Sequence, residues 1–265
     1  MADVVLTDVS DRIGTVTMNR PDARNALNAE LRATLPRALK AMDDDDGVDV
    51  IILTGTDPAF CAGLDLKELG SGGNRLDGGG ARPVEDDPVV TKPWPELTKP
   101  VIGAVNGVAI TGGFELALNC SFLVASENAR FADTHSRVGV MPGWGLTVLL
   151  PQAVGVRKAR EMSTTGNFLG AHEALLFGLV NHVVPHEELL PFTREIATDI
   201  IGNDQPGVRR MLETYAATTG TTVDDGWKVE RRMAMEWQQR SFDPAEVERR
   251  RAAIMARGRE HTKKA

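Results

Sequence analysis

The sequence predicts an α/β protein with an all-helical C-terminal part, and three observations carry that reading. Residues 49–53 (DVIIL) and Val101–Val105 are short, continuous, largely β-branched runs, the pattern of strands buried on both faces. Helix-like periods and Gly-containing turns alternate with such runs. After Pro185 the pattern turns helical, with Gly, Pro or Asp as the punctuation. With 265 residues and 42% hydrophobic side chains, the chain can bury one large core or two unequal ones. The expected division is an α/β core over residues 1–190 and a helical region over residues 191–265.

The elements follow in order. Residues 4–9 and 12–18 are β-branched runs separated by Ser10-Asp11, a hairpin pattern. Asn28 is placed as the N-cap of AELRATLPRALKAM, with Pro36 expected to kink that helix or start a second piece. The acids at 43–46 and Gly47 end it, and four consecutive acids point in different directions, so a solvated loop is expected there. Residues 71–95 are rich in Gly, Pro and acids and read as a long loop, either a lid or an insertion, with Trp94 anchoring its far end. Four helical segments, at 186–202, 206–219, 222–240 and 244–258, close the chain.

Composition excludes several functions. A net charge of −7 argues against nonspecific binding to nucleic acid or to an anionic membrane. The longest apolar stretches are interrupted by Gly, Asn, Pro or Gln well short of the roughly 18 residues a bilayer span needs. The N-terminal stretch MADVVLTDVSDR shows no secretory pattern, so a cytoplasmic location is expected. Cys61 and Cys120 are expected as reduced thiols, and two cysteines rule out a four-cysteine zinc site. There is no GxxxxGK[ST], no HExxH and no complete dinucleotide fingerprint, so no metal or separate cofactor is expected. Cys61 lacks a nucleophile elbow and an evident base.

Two segments share a local design. VIILTGTDPAFCAGLDLKEL and VIGAVNGVAITGGFELAL each run from a buried strand through a Gly-containing turn towards a helix. Backbone N–H groups at a helix start lack intrahelical partners, and two such turns facing one point would form an oxyanion hole. Leu64 is expected to lead the first helix and Gly112-Gly113 to open the second. The bland alternative is a pair of tight strand-to-helix connections.

AFCAGLDLKEL (59–69) and KPVIGAVNGVAITGGFELALNCSFLVASENARFA (99–132) resemble the two signature segments of the crotonase family, the enoyl-CoA hydratase/isomerase superfamily. MNRPDARNAL (18–27), VGVMPGWG (138–145) and STTGNFLGAHEALLFGLVNHVVP (163–185) match in the family's order, so the resemblance spans essentially the whole chain. It implies a spiral of ββα units followed by C-terminal helices that pack subunits into a homotrimer or a dimer of trimers. It also implies an acyl-CoA substrate whose thioester carbonyl is held by the N–H groups at Leu64 and Gly112. The adenine would lie near Ala62 and Gly63, and the phosphates near Arg24 and Lys67, which otherwise read as ordinary surface cations. Coenzyme A then arrives as part of the substrate.

Hydratases of the family carry two glutamates. Glu115 matches the first, its bland alternative being a solvated acid in a first helical turn. The position of the second falls on His135, a departure. Neutral imidazole offers a donor and an acceptor, and imidazolium restores the proton count of a carboxylate and carboxylic acid pair. The expectation is therefore addition of water to a 2-enoyl-CoA in modified form, with a rate that changes near neutral pH and with Asp133 orienting His135. Isomerisation, decarboxylation and thioester hydrolysis on the same scaffold are alternatives, as is acyl-CoA binding without catalysis or a His135 that merely lines the pocket. Trp144 replaces a small residue of the family and reads as a packing aromatic or an acyl-pocket wall. Residues 246–265 hold seven Lys or Arg against three Glu, a basic segment on an acidic body that would suit a neighbouring subunit's CoA phosphates.

Overall fold

The computed structural model describes residues 3–71 and 92–264, so most of the expected loop, residues 72–91, lies outside the described residues. Strands β1 (Val5–Ser10) and β2 (Ile13–Met18) form the hairpin, with Ser10 opposite Ile13. Its turn is Asp11-Arg12, one residue later than expected, and both residues have positive φ, 53° and 64°. A two-residue turn that matches the strand twist needs two left-handed positions.

Asn28 caps α1 (Ala29–Asp44) by accepting the Leu31 N–H at 2.9 Å. Pro36 does not divide this helix, because Leu31, Leu35 and Leu39 are buried along one face and hold it across the missing N–H. The acidic run is likewise not wholly a solvated loop. Asp43 is buried in the last turn, where Oδ1 accepts the Thr98 N–H at 2.8 Å and the Lys99 N–H at 3.0 Å. Lys99 in turn donates to the Met42 and Asp45 carbonyls at 2.9 and 2.6 Å, so the open end of α1 is sealed. Burial, and then the neighbouring Arg209, hold the Lys99 ammonium below its ordinary pKa.

From here a strand, strand, helix unit recurs. β3 (Val50–Gly55) leads to β4 (Ala59–Cys61) and α2 (Leu66–Gly70), and β5 (Val101–Val105) to β6 (Val108–Ile110) and α3 (Gly112–Leu118). β7 (Phe122–Ser126) leads to β8 (Arg130–Ala132) and α4 (His135–Val138). Then come α5 (Leu146–Val154), α6 (Val156–Thr165), β9 (Leu169–Gly170), α7 (Ala171–Leu176), β10 (His182–Val184) and α8 (Leu189–Ile201). Helices α9 (Gln205–Thr218), α10 (Val223–Arg240) and α11 (Pro244–Lys264) complete the chain.

The first strand of each unit joins a sheet of order β1-β2-β3-β5-β7-β10, and the second joins a smaller sheet of order β4-β6-β8-β9. The chain thus advances as a spiral of ββα units. Alternation along β3 explains its continuous apolar run: Ile51 and Leu53 face the main core, whereas Val50 and Ile52 face a second cluster that includes Leu189 and Ala197 of α8. Trp94 is buried against the main core.

A Ser, His and Asp chain closes one edge. His186 contacts Ser126 Oγ through Nδ1 and Asp57 through Nε2, each at 3.0 Å, and Asn106 donates to Asp57 at 2.8 Å. Ser126 is fully buried and its Oγ also accepts the Asn128 N–H, so this chain ties strand ends together and presents no nucleophile.

The chain forms two compact units, Met1–Arg209 and Arg210–Ala265. Within the second, Arg210 joins α9 to α10 through Glu236 at 2.7 Å. Some of the basic charge of α11 is paired along the helix itself, Arg250 with Glu246 at 2.9 Å and Arg251 with Glu248 at 3.4 Å. No helix among the described residues is long and apolar enough to cross a membrane.

Asn25 fastens the segment after β2 to the β3–β4 connection. It has a left-handed φ of 55°, which Asn tolerates better than most residues, and it is fully buried. Its Oδ1 accepts the Arg20 N–H at 2.8 Å and its Nδ2 donates to the Thr56 and Ala59 carbonyls at 2.8 and 2.7 Å. Asn25→Ala leaves these groups buried without partners, and a stability loss of about 3 kcal/mol is expected, read as a lower urea midpoint.

Candidate active site

Three neighbouring parallel strands end together. Cys61 of β4 pairs beside Ala109 of β6, and Ile110 of β6 beside Ala132 of β8. The residues that leave these strands, 62–64, 111–113 and 133–135, therefore gather at one edge, the carboxyl ends where α/β sheets bind ligands.

The first turn is stapled to residues 24–27: the Ala62 N–H donates to the Arg24 carbonyl at 3.0 Å, Leu27 N–H to Gly63 at 2.7 Å and Asp65 N–H to Leu27 at 3.2 Å. Gly63 takes a φ of 85°, a conformation suited to glycine. Leu64 does not lead the helix as expected. The Asp65 carboxylate accepts the Lys67 N–H at 3.1 Å and so starts α2 beyond Leu64. Among the described residues the Leu64 N–H has no hydrogen-bond acceptor.

In the second turn Gly112 is the first residue of α3, and its N–H also has no acceptor among the described residues. Gly113 is required by closeness, since a Cβ there would lie 2.2 Å from the Cys61 carbonyl oxygen. Thr111 precedes them at a φ of 54°, a conformation that is costly for a β-branched residue. It is held by its N–H to the Ala132 carbonyl at 3.0 Å and by its hydroxyl to Thr134 at 2.8 Å. A Cβ on Gly63 would sit 3.1 Å from the Thr111 side chain, so the two turns pack directly on each other.

Glu115 is 3% exposed, which removes the reading of a solvated helix acid. Its Oε1 accepts the Trp144 N–H at 2.6 Å and the Leu146 N–H at 3.4 Å, placing the carboxylate at the N-terminal end of α5. Its Oε2 lies 3.5 Å from His135 Nε2. On the other side of the ring, His135 Nδ1–H donates to Asp133 Oδ1 at 2.6 Å, and the same oxygen accepts the His135 N–H at 3.1 Å. Asp133 thereby fixes the ring with Nε2 towards Glu115.

Burial by itself lowers the pKa of His135, but hydrogen bonding to Asp133 and Glu115 and the charges of both carboxylates outweigh it and raise the value to about 9. Burial opposes ionisation of Asp133 too, and the hydrogen bonds from His135 and Ser163 prevail and hold it below the usual range. At neutral pH His135 is an imidazolium, so the transition near neutrality expected from the sequence moves to the alkaline side.

Arg24 and Lys67 are exposed near the first turn, while Ala62 spends its N–H on the Arg24 carbonyl. Cys61 is buried and its thiol is pushed up to about 12, the state of an inert core thiol. Burial raises Cys120 as well. Among the described residues no cluster of His, Cys, Asp and Glu has the makeup of a metal site. Sequence reasoning missed the parts that hold the site. Thr111, Asn25 and the Arg20–Asp65 ion pair at 3.0 Å act through contacts with residues distant in the chain, as does Asn119, which donates to the Trp144 carbonyl at 2.9 Å. Repetition of the strand-turn pattern was the one available signal, and it pointed to the turns rather than to their supports.

The family model described as enoyl-CoA hydratase/isomerase matches residues 8–250. A probable peroxisomal enoyl-CoA hydratase 1 of Arabidopsis thaliana is 43% identical, over 83% of this chain and 78% of its own length. A crotonyl-CoA hydratase of Syntrophomonas wolfei is 35% identical, over 88% of this chain and 86% of its own. Among solved structures, an enoyl-CoA hydratase of Mycobacterium smegmatis is 50% identical, with a TM-score of 0.73 over 90% of this chain and 99% of its own.

The raised pKa of His135 has a definite sign for stability. A histidine raised from 6.5 to about 9 contributes stability fully below pH 6.5 and loses it as pH rises through 9. Stability should therefore fall between those pH values in the wild type, and this slope should flatten in His135→Gln. An imidazole resonance titrating near 9 by NMR is the direct check.

Proposed function

The chain belongs to the enoyl-CoA hydratase/isomerase family, and from that membership we propose that it adds water across the C2–C3 double bond of a 2-enoyl-CoA thioester, using Glu115 and His135 as the acid–base pair. The observation that carries this reading is the buried Glu115–His135–Asp133 chain beside two backbone N–H donors that have no acceptor among the described residues.

The thioester oxygen accepts the Leu64 and Gly112 N–H groups. These contacts strengthen as negative charge moves onto oxygen, so they lower the barrier more than they tighten binding, by ~3 kcal/mol per donor. Glu115 takes a proton from water as the water oxygen bonds to C3. The π pair moves towards C2 and the carbonyl as an enolate. His135 then delivers the proton on Nε2 to C2, and the proton gained by Glu115 returns to His135 across their contact of 3.5 Å. Asp133 keeps its negative charge throughout and stabilises the imidazolium. One water enters and no proton is left over.

This scheme draws on no metal and no separate cofactor. Arg24 and Lys67 are assigned to the CoA phosphates, and the backbone around Ala62 and Gly63 to the adenine, supported by their place beside the first turn. Assembly as a homotrimer or dimer of trimers and a cytoplasmic location belong to the same reading. The exposed apolar side chains Leu175, Leu176 and Phe177 on and just after α7 support assembly.

The test is loss of the conjugated-thioester absorbance of crotonyl-CoA. Turnover is expected with the wild type, and Glu115→Gln should reduce kcat by ~10²–10⁴-fold, the range for a lost acid–base group. Saturable binding without absorbance loss would overturn the reading. Because the acid is His135 in its protonated form, kcat should hold through neutral pH and fall as pH rises through about 9. Arg24→Ala should raise KM several-fold, a loss of ~1 kcal/mol, with kcat little changed.

A further inference from the structure

Trp144 occupies a place that the acid–base scheme leaves unexplained. Its backbone is pinned at both ends, the N–H donating to Glu115 Oε1 at 2.6 Å and the carbonyl accepting from Asn119 at 2.9 Å. Its half-buried side chain packs against the main core. A Cβ placed on Gly112 would lie 3.6 Å from the indole Cζ3 and 3.1 Å from Leu27 Cδ1. Trp144 therefore reaches from the carboxylate that activates water, which its backbone N–H meets, to the glycine that holds the thioester carbonyl, which its ring approaches. Under the proposed reaction, C1 of the acyl group sits at Gly112 and C3 sits at Glu115, so Trp144 spans the two positions, its ring at the first and its backbone at the second.

We propose that Trp144, backed by Leu27, is the residue that sets acyl-chain specificity, restricting the enzyme to short 2-enoyl-CoA thioesters. The indole is a rigid plane, the hydrogen bonds on both sides of its backbone fix the point from which it projects, and the main core backs the ring. A longer chain leaving C3 meets the ring, whereas a crotonyl group ends before it must pass. The proposal rests on the hydratase reading for the placement of C1 and C3.

The experiment compares kcat/KM for crotonyl-CoA and 2-decenoyl-CoA in wild type, Trp144→Phe and Trp144→Ala. Since the Glu115 contact uses the backbone N–H, it is available in every variant. The wild type should favour crotonyl-CoA, and the decenoyl-to-crotonyl ratio should rise at least ~10-fold in Trp144→Ala and less in Trp144→Phe, in line with the energies by which pockets discriminate methylenes. An unchanged or lower ratio in a variant with wild-type circular dichroism would overturn the proposal. Calorimetric binding of butyryl-CoA and decanoyl-CoA separates the two readings. If the wild type hydrates neither substrate but Trp144→Ala gains affinity for decanoyl-CoA over butyryl-CoA, the specificity assignment stands and the hydratase reading falls. Binding of neither thioester would overturn it.

Discussion

The carboxylate of Glu115 is the contact on which the rest of the site depends. A buried anion is costly unless it is paired and hydrogen-bonded, and here the surroundings supply both. The N–H groups of Trp144 and Leu146 meet one oxygen at 2.6 and 3.4 Å, and His135 stands 3.5 Å from the other. The same contacts place the start of α5, hold the Trp144 loop and give the imidazole a reason to stay protonated. Asp133 completes the arrangement, so a single positive ring lies between two carboxylates. A second glutamate would have to be protonated to carry a proton there, whereas His135 is held protonated by its neighbours.

Strand pairing brings these groups together. Parallel β4, β6 and β8 deliver three chain segments to one edge, and the first two leave their strands through a backbone conformation or a closeness that restricts the residue. Gly63 needs a positive φ and Gly113 needs the absence of a Cβ. Thr111 is the exception, a β-branched residue at a φ of 54°. Its two anchors, to Ala132 and to Thr134, show where the compensation comes from: the segment that bears His135 holds the turn that bears Gly112. The Gly112 turn and the segment of His135 are thus mechanically joined.

Much of the fold was legible from local pattern. The hairpin, the buried strands at residues 50–55 and 101–105, the cap at Asn28 and the four C-terminal helices were each announced by a short run of residues whose chemistry acts locally. The departures share one cause. Pro36 sits inside a continuous helix and Asp43 is buried under residues 98 and 99 because distant packing outweighs local preference. The start of α2 beyond Leu64 follows from a cap that only the folded turn reveals. In the site, Glu115 stood out because it lies in a string shared with a known family, and His135 because it departs from that family at the position of the second glutamate. Their supports, Asn25, Thr111 and Asn119, did not, because each acts on atoms far along the chain or through its backbone angles.

By itself the sequence determined the class of fold, the two Gly turns, the acid at 115 and the substitution of histidine for the second acid. The first two follow from residue type and spacing, and the last two from the resemblance to a known family. Tertiary structure alone decided the protonation state of His135, the direction its ring faces and the position of Trp144 beside Gly112. A pKa is set by burial and by charges brought near in space, and a pocket wall by which side chain reaches it. Neither distance is written in the order of the residues.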